Sequence, residues 1–365
     1  MLQPQQSASR GTELNPTGRY EKITFVADPD GPQVVRMEGD PDADEDLFPS
    51  PKTEFFKDTT KTIITYNDSP DIPYEAGLNP YRGCEHGCIY CYARPYHEYL
   101  GLSAGLDFES KIFVKLEAAK LLRKELSAKS WQPQQIHMSG VTDLYQPVER
   151  VFKLTRSCLE VLAEFRNPVG IITKNALITR DIEVLSELAR FNAARVLISV
   201  TSLDGELRRV MEPRTSTPEK RLDAMARLNA AGIPTGVMIG PIIPGLNDHE
   251  VPRILEEAGK AGAKFAVYTI LRLAYGLGPL FEDWLSRNRP LKKDKVMARV
   301  RDIHGGKLNN PNFGERFDGE GKFAEEIDFL FHMGRERAGI PCGAPKLTTA
   351  HFRRPSDRMP LFESE

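Results

Sequence analysis

The chain has 365 residues, 40% hydrophobic and 27% charged, a composition that fits an ordinary folded protein and excludes a wholly disordered or fibrous one. Its 49 Lys and Arg against 51 Asp and Glu leave a net charge of −2, so no overall field draws it onto nucleic acid or anionic lipid. The most apolar-leaning stretch, Pro234 to Leu246, carries three prolines and falls short of the roughly 18 apolar residues a membrane span requires.

The opening MLQPQQSASRGTELNP lacks the apolar centre of a secretion signal, and five cysteines are too few and too odd in number for a disulfide framework. A cytoplasmic protein with no membrane contact is the expectation. Residues 1–60 are rich in Gln, Ser, Pro, Gly and Asp and read as a flexible or wrapping extension. The run Glu38, Asp40, Asp42, Asp44, Glu45, Asp46 reads as a solvated acidic stretch within it.

From residue 61 to 280 the pattern becomes short β-branched runs alternating with amphipathic stretches, the rhythm of β-α units with parallel strands. The runs IHMSGV (136–141), VGIITK (169–174), RVLISVT (195–201), PTGVMIGPII (234–243) and FAVYTIL (265–271) predict strands, with one more just before Cys84. Helices are predicted over 112–126, 148–165, 180–190, 218–231 and 249–261. Thr217-Pro218 marks one helix start and Gly232 follows its end. Six such units predict an α/β fold, a partial (β/α)6 TIM-like barrel with N-terminal and C-terminal extensions, whose functional residues lie at the C-terminal ends of the strands. In the C-terminal extension, 281–365, the fifteen residues 287–301 carry Arg287, Arg289, Lys292, Lys293, Lys295, Arg299 and Arg301 against Asp294 alone. This is either a solvated helix face or a nucleic-acid contact.

Three of the five cysteines stand in NPYRGCEHGCIYCYAR (79–94), spaced Cys84-x3-Cys88-x2-Cys91. Thiolates are soft ligands for zinc, copper(I) or iron–sulfur clusters, and a loop with two glycines can fold three of them around one small object. Structural zinc needs a fourth ligand, for which His86 and His97 are the nearest candidates, and would make the chain a non-catalytic module. A four-iron cluster on three thiolates instead leaves one iron open to bind a small molecule. Cys158 reads as a packed core thiol in a helix and Cys342 as a lone loop thiol. Glu212, Arg214 and Arg221 read as a surface charge set around a helix start.

The cysteine spacing, with Tyr90 just before the last cysteine, resembles the signature of the radical S-adenosylmethionine superfamily. Within it, the chain is most similar to the group of spore photoproduct lyase and its uncharacterised bacterial relatives, often labelled DNA repair photolyase-like. The block at 79–94, the pair Thr142-Asp143 and EPRTSTPEKRLDAMARLNAAGIPTGVMIGPI (212–242) carry the likeness. The resemblance implies a [4Fe-4S] cluster on Cys84, Cys88 and Cys91 and S-adenosylmethionine on its unique iron, cleaved reductively to a 5′-deoxyadenosyl radical. It implies an external one-electron reductant such as flavodoxin or ferredoxin.

It also places Tyr90 near the adenine, and Gly140, Val141, Thr142 and Asp143 near the methionine amino group. Lys174 would then meet the methionine carboxylate, Ser199 the ribose or carboxylate, and the Gly240 backbone the adenine. Spore photoproduct lyases use a cysteine where Gly140 stands here, so the reaction is expected to differ from thymine-dimer repair. The substrate stays open, with a nucleic-acid relationship as one option.

Overall fold

The structure, a computed structural model, describes residues 10–20 and 52–355, so the acidic run at 38–46 lies outside the described residues. After the described N-terminal segment come β1 (Glu54–Lys57), β2 (Ile64–Tyr66), β3 (Ala76–Leu78) and β4 (Tyr81–Arg82). The chain then forms α1 (Leu106–Ser110), β5 (Lys111–Val114), α2 (Ala118–Ser127) and β6 (Ile136–Met138). Regular β-α alternation follows: α3 (Glu149–Phe152) and α4 (Leu154–Phe165), β7 (Val169–Thr173), α5 (Ile182–Ala189), and β8 (Ala194–Ser199). Then come α6 (Gly205–Met211), α7 (Pro218–Ala230), β9 (Thr235–Ile242), α8 (Val251–Lys260) and β10 (Ala266–Ile270). The last elements are α9 (Leu277–Asn288), α10 (Lys293–Asp302) and α11 (Lys322–Arg337).

The main sheet runs β10-β9-β8-β7-β6-β3-β2; β3 and β6 to β10 are parallel, as expected, and β2 closes one edge antiparallel to β3. The β10 and β2 edges do not pair, so the barrel is open. Ile136, Met138, Val169, Ile171, Val196, Ile198, Val237 and Ile239 pack under the helices. Their strand neighbours therefore face the concave side, where Ile172, Leu197 and Met238 are only half-buried. A face lined this way leaves room for a ligand.

Two predicted helices differ from the reading of the sequence. Ile112, Phe113 and Val114 belong to β5, which pairs with β1 and β4 in a small second sheet, because β-branched and aromatic residues alternate there and the helical run starts only at Ala118. The stretch 148–165 is split at Lys153, which adopts a left-handed conformation (φ 51°) between α3 and α4. Pairing of the first predicted central strand also stops early, at Met138, since Ser139 and Gly140 both turn the chain out of the sheet with φ near 120°. Thr217 caps α7 through Lys220 N–H, with Pro218 in the first turn, as read from the sequence.

Candidate active site

The loop that follows β4 carries the three thiols. Gly83 and Gly87 hold positive φ (81° and 65°), which lets the chain coil tightly between the cysteines. At Gly87 a Cβ would stand 2.6 Å from Glu109 Oε2. Fully buried Arg94 holds this coil: its Nε donates to the Cys88 carbonyl at 2.9 Å, its Nη2 to the Gly87 carbonyl at 3.1 Å, and its Nη1 to those of Ala104 and Gly105. The same guanidinium pairs with Glu109 at 2.5 Å, both side chains being wholly excluded from solvent.

Glu109 in turn accepts Gly11 N–H at 2.9 Å, while Arg10 donates to the Glu109 carbonyl and to Thr53 Oγ1. Leu14 and Pro16 carbonyls accept from Leu106 N–H and Ser103 Oγ. Residues 10–16 thus lie across the cysteine loop, a contact for which their composition gave no signal.

At the ends of β6 and β7 the predicted residues divide into two kinds. Thr142 Oγ1 donates to the Gly83 carbonyl at 2.6 Å and accepts from Gln146, so its hydroxyl holds the cysteine loop. Asp143 accepts from Thr173 Oγ1 (2.7 Å), Tyr145 N–H (2.9 Å) and Lys174 N–H (2.8 Å). Burial works to raise its pKa, but His86 and these donors outweigh it and bring the carboxyl to about 2. His86 lies between this carboxylate (Nδ1 at 3.4 Å) and Asn175, whose Nδ2 donates to Nε2 at 3.2 Å. Since Asn175 Oδ1 accepts from Leu177 N–H and Ser216 Oγ, its amide orientation is fixed, and the His86 proton is placed on Nδ1 facing Asp143. Gly140 and Val141 sit half-exposed at the rim, with no atom within 4 Å of a Cβ built on Gly140.

Lys174 is the cation of the site. Its Nζ approaches the Gly240 carbonyl at 3.4 Å and lies 5.7 Å from the centre of the Tyr90 ring, close enough to favour ionisation of Cys88, Cys91 and Glu212. The Tyr90 hydroxyl donates to Glu212 and lies 3.3 Å from Thr201 Oγ1, which itself donates to the Gly240 carbonyl at 3.0 Å. Glu212 and Arg221 are a correction to the reading of the sequence. They are not a surface set but a buried ion pair, each side chain 1% exposed, 2.5 Å apart. Arg221 also donates to the carbonyls of Ser199 (3.0 Å) and Ser216 (2.8 Å). Burial alone would raise the Glu212 pKa; Arg221 and Lys174 reverse that and bring it to about 2.

Arg214 is partly buried and pairs with Glu85, which caps Val148 N–H. Ser199 lies on the concave face two residues before Thr201 and is buried, with its carbonyl taken by Arg221. The structure therefore gathers the three cysteines, Tyr90, Asp143, Lys174 and Gly240 at the C-terminal strand ends. Thr201, Glu212, Arg221, Arg94 and Glu109 complete the setting without having been singled out for it.

The donor set suits a cluster. Cys84, Cys88 and Cys91 are free, and a Cys91 thiolate would raise the pKa of both Cys84 and Cys88, although the described residues hold no three such ligands gathered closely enough to grip a single metal ion. Burial pushes all three thiols up, which leaves them as unionised orphans unless iron supplies the missing positive charge. His86 lies between Asn175 and Asp143, and His97 packs edge-on against Phe108 and Phe113, where burial lowers its pKa to about 4; His86 Nδ1 and His97 Nε2 are left buried without a hydrogen-bond partner among the described residues. Cys158 is buried in α4. Cys342 is exposed beyond α11, next to the segment whose Pro345 carbonyl binds Arg195 near the start of β8, at the opposite end of the strands from the cysteine loop. In the basic segment, Arg287, Lys293 and Arg299 pair with Asp283, Glu282 and Asp248.

A model of the radical SAM superfamily matches residues 78–258, the span from β3 to α8 that contains the cysteine loop, Tyr90, Asp143, Lys174, Glu212, Arg221 and Gly240. The chain belongs to the radical SAM superfamily. An uncharacterised protein of Mycobacterium tuberculosis is 34% identical over 235 residues, covering 64% of this chain and 68% of that one. One from Methanocaldococcus jannaschii is 32% identical over 240 residues, covering 66% and 85%. Among solved structures, a spore photoproduct lyase mutant with bound AdoMet and dinucleoside spore photoproduct superposes with a TM-score of 0.58 at 15% identity, covering 80% of this chain and 82% of that one, a likeness of fold. This radical SAM enzyme is one whose family implies S-adenosylmethionine and a four-iron cluster. No helix among its described residues is long and apolar enough to cross a membrane.

Proposed function

We propose that the enzyme holds a [4Fe-4S] cluster on Cys84, Cys88 and Cys91 and positions S-adenosylmethionine on its remaining iron against a substrate in the concave face. When bound, the cluster and cofactor together supply a 5′-deoxyadenosyl radical, fed by a one-electron donor such as flavodoxin or ferredoxin. The observation that carries this reading is the convergence of three free thiols, Cys84 and Cys88 buried and Cys91 half-buried, with the Lys174 ammonium at the end of a parallel strand.

Lys174 is placed to meet the methionine carboxylate, its backbone fixed by Asp143 and its side chain by the Gly240 carbonyl and the Tyr90 ring. Tyr90, tied to Glu212, presents a fixed ring toward the adenine. The rim from Gly140 to Asp143 serves the amino group. Ser199 takes the ribose or carboxylate, and the Gly240 backbone the adenine. Thr142 and Asp143 act through the loops they hold, because their own side-chain oxygens are already bonded.

The substrate is proposed to be nucleic-acid related, on the shared fold with a lyase that binds a dinucleoside photoproduct. Gly140 offers no thiol hydrogen to return, and Cys342 lies at the other end of the strands, so the outcome differs from that lyase's. Anaerobic reconstitution is expected to give about four irons and four sulfides per chain and a broad brown absorption. With dithionite and S-adenosylmethionine it is expected to release 5′-deoxyadenosine, and Lys174→Ala to raise the KM for S-adenosylmethionine at least about tenfold, the loss of a charge-assisted contact. Iron-loaded protein that leaves S-adenosylmethionine intact would overturn the proposal.

A further inference from the structure

Tyrosines crowd the face of the molecule that carries the cysteine loop. Tyr20, Tyr92, Tyr96, Tyr99 and Tyr275 are 45%, 48%, 52%, 65% and 72% exposed. Scattered singly, exposed rings need no explanation, but Tyr20, Tyr99 and Tyr96 touch in series and Tyr275 joins them through Arg19. Tyr99 stacks on Tyr20 (centroids 5.0 Å, planes 24° apart) and lies 6.2 Å from Tyr96. The Arg19 guanidinium continues the stack, 5.4 Å from the Tyr20 ring centre and 4.1 Å from that of Tyr275.

The strip starts beside the cysteines. Tyr92 follows Cys91 directly, and Tyr96 and Tyr99 share one face of the 3-10 helix Arg94–Leu100, whose three-residue turn brings positions three apart into line. Arg272, just past the end of β10, lies 5.8 Å from the Tyr92 ring centre and 4.9 Å from that of Phe317, with no carboxylate in ion-pair contact among the described residues. The Arg19 charge is met by nearly buried Glu98 at 2.6 Å, and its guanidinium packs over the Tyr275 and Tyr20 rings.

We propose that this strip is a docking surface for single-stranded nucleic acid, whose unpaired bases stack on Tyr275, Tyr99 and Tyr96 while Arg272 receives a backbone phosphate beside Cys91. Ring faces in series with guanidinium groups are the two features that recognise unstacked bases and phosphate together. A duplex cannot use them, since its bases are already stacked inside. The inference rests on the proposed cluster site only for the direction in which the strand leads. It differs from a general basic patch, because it predicts a dependence on rings rather than on the lysines of α10.

The test is fluorescence anisotropy with a labelled twelve-nucleotide oligo(dT), alone and annealed to its complement, on reconstituted holoenzyme with S-adenosylmethionine and no reductant. The single strand is expected to bind at least about tenfold more tightly than the duplex. Tyr99→Ala and Tyr275→Ala are each expected to weaken it about tenfold. Arg272→Ala should reduce the slope of log affinity against log salt by about 0.7. Tyr66→Ala, an exposed ring at the opposite end of the sheet, paired with the first residue of β3, serves as the control and leaves affinity unchanged.

Equal binding of duplex and single strand, or an affinity indifferent to Tyr99 and Tyr275, overturns the proposal. So does a holoenzyme dimer in sedimentation that Tyr275→Ala dissolves, which would make the strip a contact between copies. Because binding is read without reductant, a failure of the cofactor reading appears as missing 5′-deoxyadenosine with anisotropy intact, and a failure of this one as the reverse.

Discussion

Glu109→Gln tests the physical basis of the cysteine loop most directly. The carboxylate is wholly buried, accepts from Arg94 on one oxygen and from Gly11 N–H on the other, and has no water to turn to. An amide of the same shape has one acceptor where two donors point, so either Arg94 or Gly11 meets an NH2 group. The Arg94 charge also loses its counter-charge. Breaking a buried ion pair from one side costs about 3–5 kcal/mol, a large share of the 5–15 kcal/mol that keeps a typical domain folded.

Arg94→Met should cost more still, because it strands the Glu109 carboxylate and frees the carbonyls of Gly87, Cys88, Ala104 and Gly105, each worth about 1 kcal/mol. Urea unfolding followed by tryptophan fluorescence, with iron counted after anaerobic reconstitution, is the assay. We expect the order wild type, Glu109→Gln, Arg94→Met in falling midpoint, and iron content falling with it. A Glu109→Gln protein within about 1 kcal/mol of wild type and carrying full iron would refute the idea that this pair shapes the loop.

Two further outcomes follow from groups outside that pair. Burial, assisted by Arg195, lowers the pKa of His137 to about 3, where it stacks on Tyr74 with centroids 4.0 Å apart. The unfolded chain, with a histidine pKa near 6.5, binds the extra proton more readily, so this stability is complete above about pH 6.5 and is lost as pH falls. The loss by pH 5 amounts to roughly 2 kcal/mol, and unfolding midpoints at pH 7.5 and pH 5 should show that share removed in His137→Phe; an unchanged pH dependence in the variant would count against it. Gly87→Ala places a Cβ 2.6 Å from Glu109 Oε2 on a residue at φ 65°, so iron uptake should fall sharply while Gly205→Ala, where a Cβ meets nothing within 4 Å, loads normally; equal iron in both would contradict the role given to Gly87.

The strands were legible in the sequence because parallel strands covered on both faces read as short apolar, β-branched runs: Val169–Thr173 is buried but for Ile172, and Ala194–Ser199 but for Arg195 and Leu197. The cysteine triplet was legible because three soft ligands within eight residues have few other uses. Glu212 and Arg221 were misread for a physical reason. Charges around a helix start look the same whether the helix start faces water or is turned beneath another loop, and only the fold brings Tyr90 down onto Glu212 from 122 residues away. Segment 112–114 was misread because three apolar residues ahead of a true helix fit its periodicity as well as they fit a strand.

The same distance effect explains why the support of the cysteine loop was invisible. Its polar backbone is held by Thr142, by Gln146, which accepts Glu85 N–H at 2.9 Å, and, through Glu109, by Gly11, residues separated from the loop by tens of positions. Each is a small polar residue or a glycine in an unremarkable stretch, and none has a periodicity to betray it. Arg94 is the exception: it stands within the motif, but its target carbonyls carry no side-chain signature at all. Buried polar groups must be bonded, so every bend of a tight loop requires a donor from somewhere. In this chain the motif itself supplies the thiols and the Arg94 guanidinium, while Thr142 and Gln146 come from the segment after β6, and residues 10–16 bear on the loop through Glu109 and through the contact of Gly11 with Gly87. Substitution in that N-terminal stretch should therefore disturb the cysteine loop as directly as substitution within 84–91.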